Sequence, residues 1–513
     1  MAELSHPMAE LTHPLWQAAR RHADRPALIE GERVLSFAAL YQDADALARH
    51  LAAQGVHRGD HLLLLEPDPL PIIRCLWATS LLGCVCIPLN PALPVAQIER
   101  QLATADARWL IGAGSGEEGE HIKLPPGCQQ LGLPPLSLTA TNAPLAATPE
   151  WPPLDPQTAL TGTFTSGSSG HPKLALHSLA NHRASAKGSG QLIPLGAGDG
   201  WGLTLPLYHI GGLAILFRCL LAGASLVLGE RRDLEGFLQH PRVTHLSVVA
   251  TQLVRLQRQG RSLAAGSLRH LLLGGSAFPR SLLDWLAGQP IQCHISYGLT
   301  EMSSQVMTGP ANPDSRIAHL LPGRELRIAP IAGDEGQLEP GEEESGNVEG
   351  EILVRGDCLW LGYYQRGQLH RPLNKEGWFH TRDRGQLDTT GALRVIGRLD
   401  NQFVSGGENV QPEPLEAIIR SFAGGCEGGV DGGEPIDECY LVPVSDAEYG
   451  TRAVCFVEPF PADGGAELAR WLQPQLASHQ RPRAFYPIPP ELKRGLKISR
   501  QQLCRWAEEQ SQG

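Results

Sequence analysis

Short apolar runs alternate with longer amphipathic stretches along most of this chain. Residues 61–65 read HLLLL, too short for a helix and apolar throughout, which predicts a buried strand. Residues 71–82 have helical length, and residues 85–89 form a second strand-like run, continued by 106–111. Upstream, residues 15–54 read as helix, short strand and helix, with Ser36 placed to cap FAALYQDADALARHLAAQG. Further strand-like segments fall at 159–165, 225–228, 244–249 and 268–273. Strands that alternate with helices predict layered α/β structure with mostly parallel sheets. Residues 351–355 and 392–396 are short, Gly-bounded strands and predict a small β unit. After Asp400 the order changes to helix (413–422), two strands (439–443 and 453–457) and helix (467–478). The expected architecture is therefore an extension at 1–14, a large α/β N-terminal domain at 15–399 made of two subdomains plus the β unit, and a small mobile α+β domain at 400–513, with Asp400 at the junction.

Other stretches lack a period. The opening MAELSHP is nearly repeated as MAELTHP, which predicts a dispensable extension with Met8 as an alternative start. Residues 112–156, 333–350 and 424–433 are rich in Gly or Pro and predict surface excursions.

At 513 residues, a prior of ~150 residues per domain gives three or four units. The formal charge of −11 opposes non-specific nucleic-acid binding, but a local cluster of donors still suffices for phosphate ligands. Eleven cysteines without a CxxC pair predict small buried hydrophobes in a reducing cytosol. No apolar run approaches the ~20 residues of a membrane span; the nearest, 211–228, is interrupted by Arg218. The oligomeric state is left open.

The strongest local motif is Thr165-Ser166-Gly167-Ser168-Ser169-Gly170-His171-Pro172-Lys173, after a strand and before a segment of helical potential. Glycines allow close backbone approach, hydroxyls and amides donate, and Lys173 adds charge, which together suit phosphate. It is not a Walker A loop, because His171-Pro172 separates Gly170 from Lys173 and Leu174 follows. A second signal is Arg218, a charge inside the apolar run LAILFRCLL that needs a partner.

Further motifs follow in order: Leu205-Pro-Leu-Tyr-His209, Gly274-Gly275-Ser276, Tyr297-Gly-Leu-Thr300-Glu301, Thr381-Arg-Asp383, Gly397-Arg398-Leu-Asp400 and Gly495-Leu-Lys497. Together with the Ser/Gly loop they resemble the adenylate-forming superfamily of acyl- and aryl-CoA synthetases, peptide-synthetase adenylation domains and beetle luciferases. The resemblance implies an ATP site built from Thr165, Ser166, Gly167, Ser168, Ser169, Gly170, Lys173, Gly275, Ser276, Tyr297, Thr300, Asp383 and Arg398. It implies His209, Thr300 and a mobile Lys497 as catalytic residues, Glu301 as the Mg²⁺ ligand and Asp400 as the hinge. ATP and coenzyme A are the implied co-substrates. The chain departs from the family pattern at Ser169 (usually Thr), at Arg382 (usually Gly) and at Leu496 before Lys497 (usually Gly), so Lys493 stays open as the alternative lysine.

The stretches Leu192-Ile-Pro-Leu195, Asp199-Gly-Trp201, Arg398 to Glu408 and Pro490 to Arg500 are similar to one branch, the o-succinylbenzoate–CoA ligases of menaquinone synthesis. The implied reaction joins 2-succinylbenzoate to coenzyme A through an acyl adenylate, releasing AMP and pyrophosphate. The alternatives are another aryl- or acyl-CoA ligase and an enzyme that loads a carrier protein. A diacid also answers the question posed by Arg218. One carboxylate is activated, and the other can be gripped by the guanidinium fork, with Ser247 adding a hydrogen bond. Gly211-Gly212 either leave room for a flat ring or answer a packing need.

Overall fold

The computed structural model describes residues 13–112, 121–136, 151–166, 172–231, 233–263, 266–275, 278, 280–331, 348–405, 408–422, 436–446, 450–493 and 498–512. The phosphate-loop residues Gly167–Gly170, together with Ser276, Lys497, the extension at 1–12 and the excursion at 424–433, lie outside them. So does most of 333–350, whose last residues open the strand Val348–Gly356.

The architecture is α/β with a smaller α+β C-terminal part. Among the described residues, one nine-stranded sheet runs from His319–Leu320 at one edge through Ser304–Pro310, Gln292–Leu299, His270–Leu273, His245–Val248, Gly200–Gly202, Ser225–Leu228 and Pro26–Glu30 to Arg33–Ser36. Its interior pairings are parallel, and antiparallel strands close both edges. A second sheet of eight strands centres on His61–Leu65, Val85–Pro88 and Ala159–Ser166. The small β unit is a four-stranded antiparallel sheet that includes Val348–Gly356 and Phe379–Leu387. Beyond Asp400, Glu438–Asp446 and Gly450–Glu458 form a hairpin, joined in parallel by Phe485–Pro487.

Local chemistry sets the helices. Phe37–Ala53 begins where Ser36 Oγ accepts the Ala39 amide at 3.1 Å, a cap worth about 1 kcal/mol. Ile210–Ala222 is apolar nearly all round and buried, and it ends at Gly223, in the left-handed region at φ 68°. The apolar run at 211–228 is thus a core helix followed by the strand Ser225–Leu228. Among the described residues, no helix is long and apolar enough to cross a membrane, and every cysteine is free.

Three expectations are corrected. The segment after the phosphate loop is the strand Pro172–Ser178, and the helix Leu179–Leu192 comes only after it. The predicted helix over 467–478 is Ala466–Leu472, stopped two residues before Pro474. The excursion at 112–156 contributes an edge strand, Gln129–Leu131. Of the two readings of Gly212, the packing need fits the structure, since a Cβ there would collide with the Pro206 carbonyl.

Two histidines in this core give stability a pH dependence. Burial holds both His177 and His245 down to about 4, His245 with a further contribution from His270. The unfolded chain takes up those protons near the ordinary 6.5, so falling pH favours unfolding between these limits. The expected loss is about 1.4 kcal/mol per pH unit per histidine, with none above 6.5. Urea unfolding at several pH values should show stability falling from pH 6.5 towards 4, with a shallower slope in His245→Gln. An unchanged slope in that variant contradicts the assignment.

Candidate active site

Parallel α/β sheets place ligands beyond the carboxyl ends of their strands, and the predicted residues gather there. The stretch from Tyr297 to Gln305 is the spine of the site. Its strand Gln292–Leu299 passes through a short turn at Thr300–Met302 into the antiparallel strand Ser304–Pro310. The turn is tight. A Cβ at Gly298 would collide with the Ser304 carbonyl, and Ser303 and Ser304 sit at φ 51° and 109°. Ser185 Oγ donates to the Ser303 carbonyl at 2.6 Å, and Ser303 Oγ donates to the Cys358 carbonyl at 2.8 Å, which hold the turn.

On one side lie the predicted ribose and adenine residues. Tyr297 is buried, and its hydroxyl donates to Asp383 Oδ2 at 2.7 Å. Arg398 Nη1 donates to the other Asp383 oxygen at 3.0 Å, while its Nη2 reaches Asp400 at 2.9 Å. A carboxylate has about four lone-pair sites, so Asp383 retains acceptor capacity for ribose hydroxyls. Burial alone would lower the Arg398 guanidinium, but Asp383 and Asp400 outweigh it and hold it above its ordinary value. Burial, reinforced by Asp383, pushes the Tyr297 phenol up. Arg382 sits at φ 63°, a conformation that suits glycine, and this accounts for the family's usual residue there. Its amide donates to Glu351 at 3.0 Å and its Nε to Asp400 at 3.1 Å, which anchor the strained residue. Gly275, at φ 86°, follows the strand His270–Leu273.

The phosphate-loop flanks are the two arms of a hairpin, with Thr165 opposite Lys173. Lys173 Nζ lies 5.2 Å from the centre of the Tyr363 ring, and the Tyr363 hydroxyl donates to Glu301 Oε1. Burial raises the Glu301 carboxyl above its ordinary range, opposed by the Tyr363 hydrogen bond. The Thr300 carbonyl accepts from His177 Nε2 at 2.7 Å. Among the described residues no group of three or more His, Cys, Asp or Glu gathers as a metal cage. A single carboxylate at Glu301 fits Mg²⁺ all the same, because that ion commonly takes one or two carboxylates and completes its shell with water and substrate phosphates.

On the other side lies Arg218. Three arginines are buried among the described residues: Arg74, Arg218 and Arg324. Arg74 has a bidentate carboxylate partner, Asp43, at 2.7 and 2.8 Å. Among the described residues Arg218 has neither structural remedy, an acid or an escape to solvent. Its Nη2 donates to Gln305 Oε1 at 2.7 Å and to Ser304 Oγ at 3.3 Å, and its buried Nε has no partner among the described residues. The guanidinium lies 5.2 Å from the Trp201 ring centre. Burial, with Arg324 nearby, lowers it to about 10, so it remains a cation at neutral pH. Ser247 Oγ accepts from Trp201 Nε1 at 3.1 Å, so its observed contact is with the residue that backs Arg218. His209 is exposed at the start of Ile210–Ala222, with its ring 4.8 Å from that of Tyr208. Lys493, the alternative lysine, pairs with Glu458 at 2.7 Å.

The geometry thus unites Tyr297, Asp383, Arg398 and Asp400 in one cluster, and Lys173 with Glu301 in a second. Tyr363, Ser304 and Gln305 were not singled out from sequence, and Trp201 entered there only within the stretch Asp199-Gly-Trp201, without its contact to Arg218. Tyr363 lies on a short strand, Gly362–Gln365, that joins the phosphate hairpin only through the fold.

Residues 15–364 match the family described as AMP-binding enzyme. The chain belongs to that family. It is similar to the 2-succinylbenzoate–CoA ligase of Salmonella typhimurium, at 36% identity over 96% of each chain. It is similar in structure to a MenE of Escherichia coli with bound OSB-AMS, with a TM-score of 0.80 and 32% identity over 98% of this chain and 99% of that one. It is also similar to the o-succinylbenzoate CoA synthetase of Bacillus subtilis in complex with the acyl-adenylate intermediate OSB-AMP, with a TM-score of 0.78 and 27% identity over 96% and 97%.

Within this AMP-binding enzyme, the Tyr363 hydroxyl opposes the burial that raises the Glu301 carboxyl. Tyr363→Phe removes a bond that lowers the Glu301 carboxyl, so that carboxyl rises further. The acid limb of kcat/KM for ATP should therefore move to higher pH in the variant. An unshifted limb would show that Glu301 does not limit activity in acid.

Proposed function

We propose that this chain activates 2-succinylbenzoate with ATP and transfers the acyl group to coenzyme A, in the cytoplasmic synthesis of menaquinone. The observation that carries the choice of acid is Arg218, a buried cation at the site whose side-chain partners among the described residues are all neutral. A fatty acid offers nothing to such a charge. A diacid offers its second carboxylate, which can form charge-assisted bonds to the guanidinium. The names of the similar proteins support the same substrate.

In this reading Asp383 and Arg398 orient the ribose, Tyr297 lies beside the adenine, and the Thr165–Lys173 loop with Thr300 holds the phosphates. Glu301 would hold Mg²⁺, which offsets phosphate charge as the acid's carboxylate attacks the α-phosphorus. The C–O–P anhydride forms and pyrophosphate leaves. In this reading Lys497 supplies positive charge to that step, and His209 serves the acid's side of the reaction. The salt bridge of Lys493 to Glu458 gives that lysine another employment, which favours Lys497 as the mobile one. The small domain then turns about Asp400, and the coenzyme A thiolate displaces AMP.

Pyrophosphate release with a panel of acids tests the reading. Turnover should be greatest with 2-succinylbenzoate, should need Mg²⁺, and should yield a thioester with free coenzyme A. Equal turnover with benzoate or octanoate would overturn the choice of acid. Acceptance of a phosphopantetheinylated carrier in place of free coenzyme A would overturn the choice of acceptor.

A further inference from the structure

Gln305 is where the two unneutralised buried arginines meet. Its side-chain oxygen accepts from Arg218 Nη2 at 2.7 Å, and its backbone carbonyl accepts from Arg324 Nε at 3.0 Å. Its side-chain nitrogen donates to Thr308 Oγ1 at 2.6 Å, which fixes the amide with the oxygen towards Arg218. The remaining Arg324 bonds go to the carbonyls of Ala184, Pro322 and Ser185. No ion pair among the described residues includes Arg218 or Arg324, whereas the third buried arginine, Arg74, pairs with Asp43.

A buried cation is most simply satisfied by a carboxylate, and glutamate has nearly the shape of glutamine. At this position, however, a carboxylate would neutralise Arg218 before any substrate arrived. The guanidinium would be well oriented and electrostatically spent. A carboxamide orients one edge of the fork through a single neutral acceptor and leaves the net charge in place. The buried Arg218 Nε has no hydrogen-bond partner among the described residues.

We propose that Gln305 is a specificity-determining positioning residue, whose uncharged side chain seats Arg218 while reserving its charge for the second carboxylate of the acid substrate. The proposal rests on the diacid reading above and adds to it the requirement that the seat be neutral. Gln305 acts through Arg218 and need not touch the substrate.

The test compares the wild type with Gln305→Glu and Gln305→Met on 2-succinylbenzoate and on two monoacids, 4-oxo-4-phenylbutanoate and 2-butanoylbenzoate, each lacking one of its carboxylates. Gln305→Glu should raise KM for 2-succinylbenzoate by about tenfold or more, leave KM for ATP within about twofold, and shrink the preference over the monoacid that still reacts. Gln305→Met, of similar volume and uncharged, should raise KM for the diacid by only about threefold and keep most of the preference. A merely structural role would move KM for ATP and kcat together and would not separate the two variants. Equal loss in both variants, or an undiminished preference in Gln305→Glu, overturns the proposal. If Gln305→Glu does not fold, the methionine variant decides, and a KM for the diacid unchanged relative to that for ATP overturns it. A wild type with no preference for the diacid would instead sink the substrate reading on which the proposal rests.

Discussion

A guanidinium with no carboxylate partner among the described residues, buried on an apolar helix, is the constraint around which this side of the site is organised. Desolvating a cation costs several kcal/mol on the order of magnitude known for buried ions. The fold offsets part of that through Gln305, Ser304 and the face of Trp201. Trp201 is in turn fixed by Ser247. These partners are neutral, so they hold the cation without cancelling it. The same helix supplies the contrast: its other buried side chains are apolar and need nothing beyond packing. In the neighbouring helix Pro69–Leu82, Arg74 answers the same problem with an aspartate, and its charge is closed to any ligand.

The nucleotide and acid sides are coupled through chain connectivity. Tyr297, Thr300, Glu301, Ser304 and Gln305 lie within nine consecutive residues, yet they face the Asp383–Arg398 pair, the hairpin that carries Lys173, and Arg218. The strained turn at Ser303 and Ser304 makes this possible by reversing the chain within a few residues. Its cost is met by hydrogen bonds from Ser185 and to Cys358, so the nearby helix and β unit help to shape the site.

Much of this was legible in the sequence where the signal is local. The strands His61–Leu65 and Ser225–Leu228, the Ser36 cap and the helix it starts all follow from runs and caps that neighbouring residues determine. Arg218 stood out because charge inside an apolar run is locally anomalous. What escaped notice depends on distant pairing. Gln305 meets Arg218 across 87 positions, and Tyr363 meets Glu301 across 62. Arg382 reads as a mere departure from pattern until its backbone angle shows why glycine is usual there. The hairpin after the phosphate loop was hidden for a related reason: Pro172–Ser178 gains its strand character from Ala159–Ser166 on one side and Gly362–Gln365 on the other.

The central claim is that one buried charge selects the acid. Replacing Arg218 with glutamine keeps hydrogen-bonding capacity and removes the charge. Steady-state kinetics of Arg218→Gln should show KM for 2-succinylbenzoate raised by about 30-fold or more, with KM for ATP within about twofold of wild type. Equal changes for both substrates, or none for the diacid, would contradict the account.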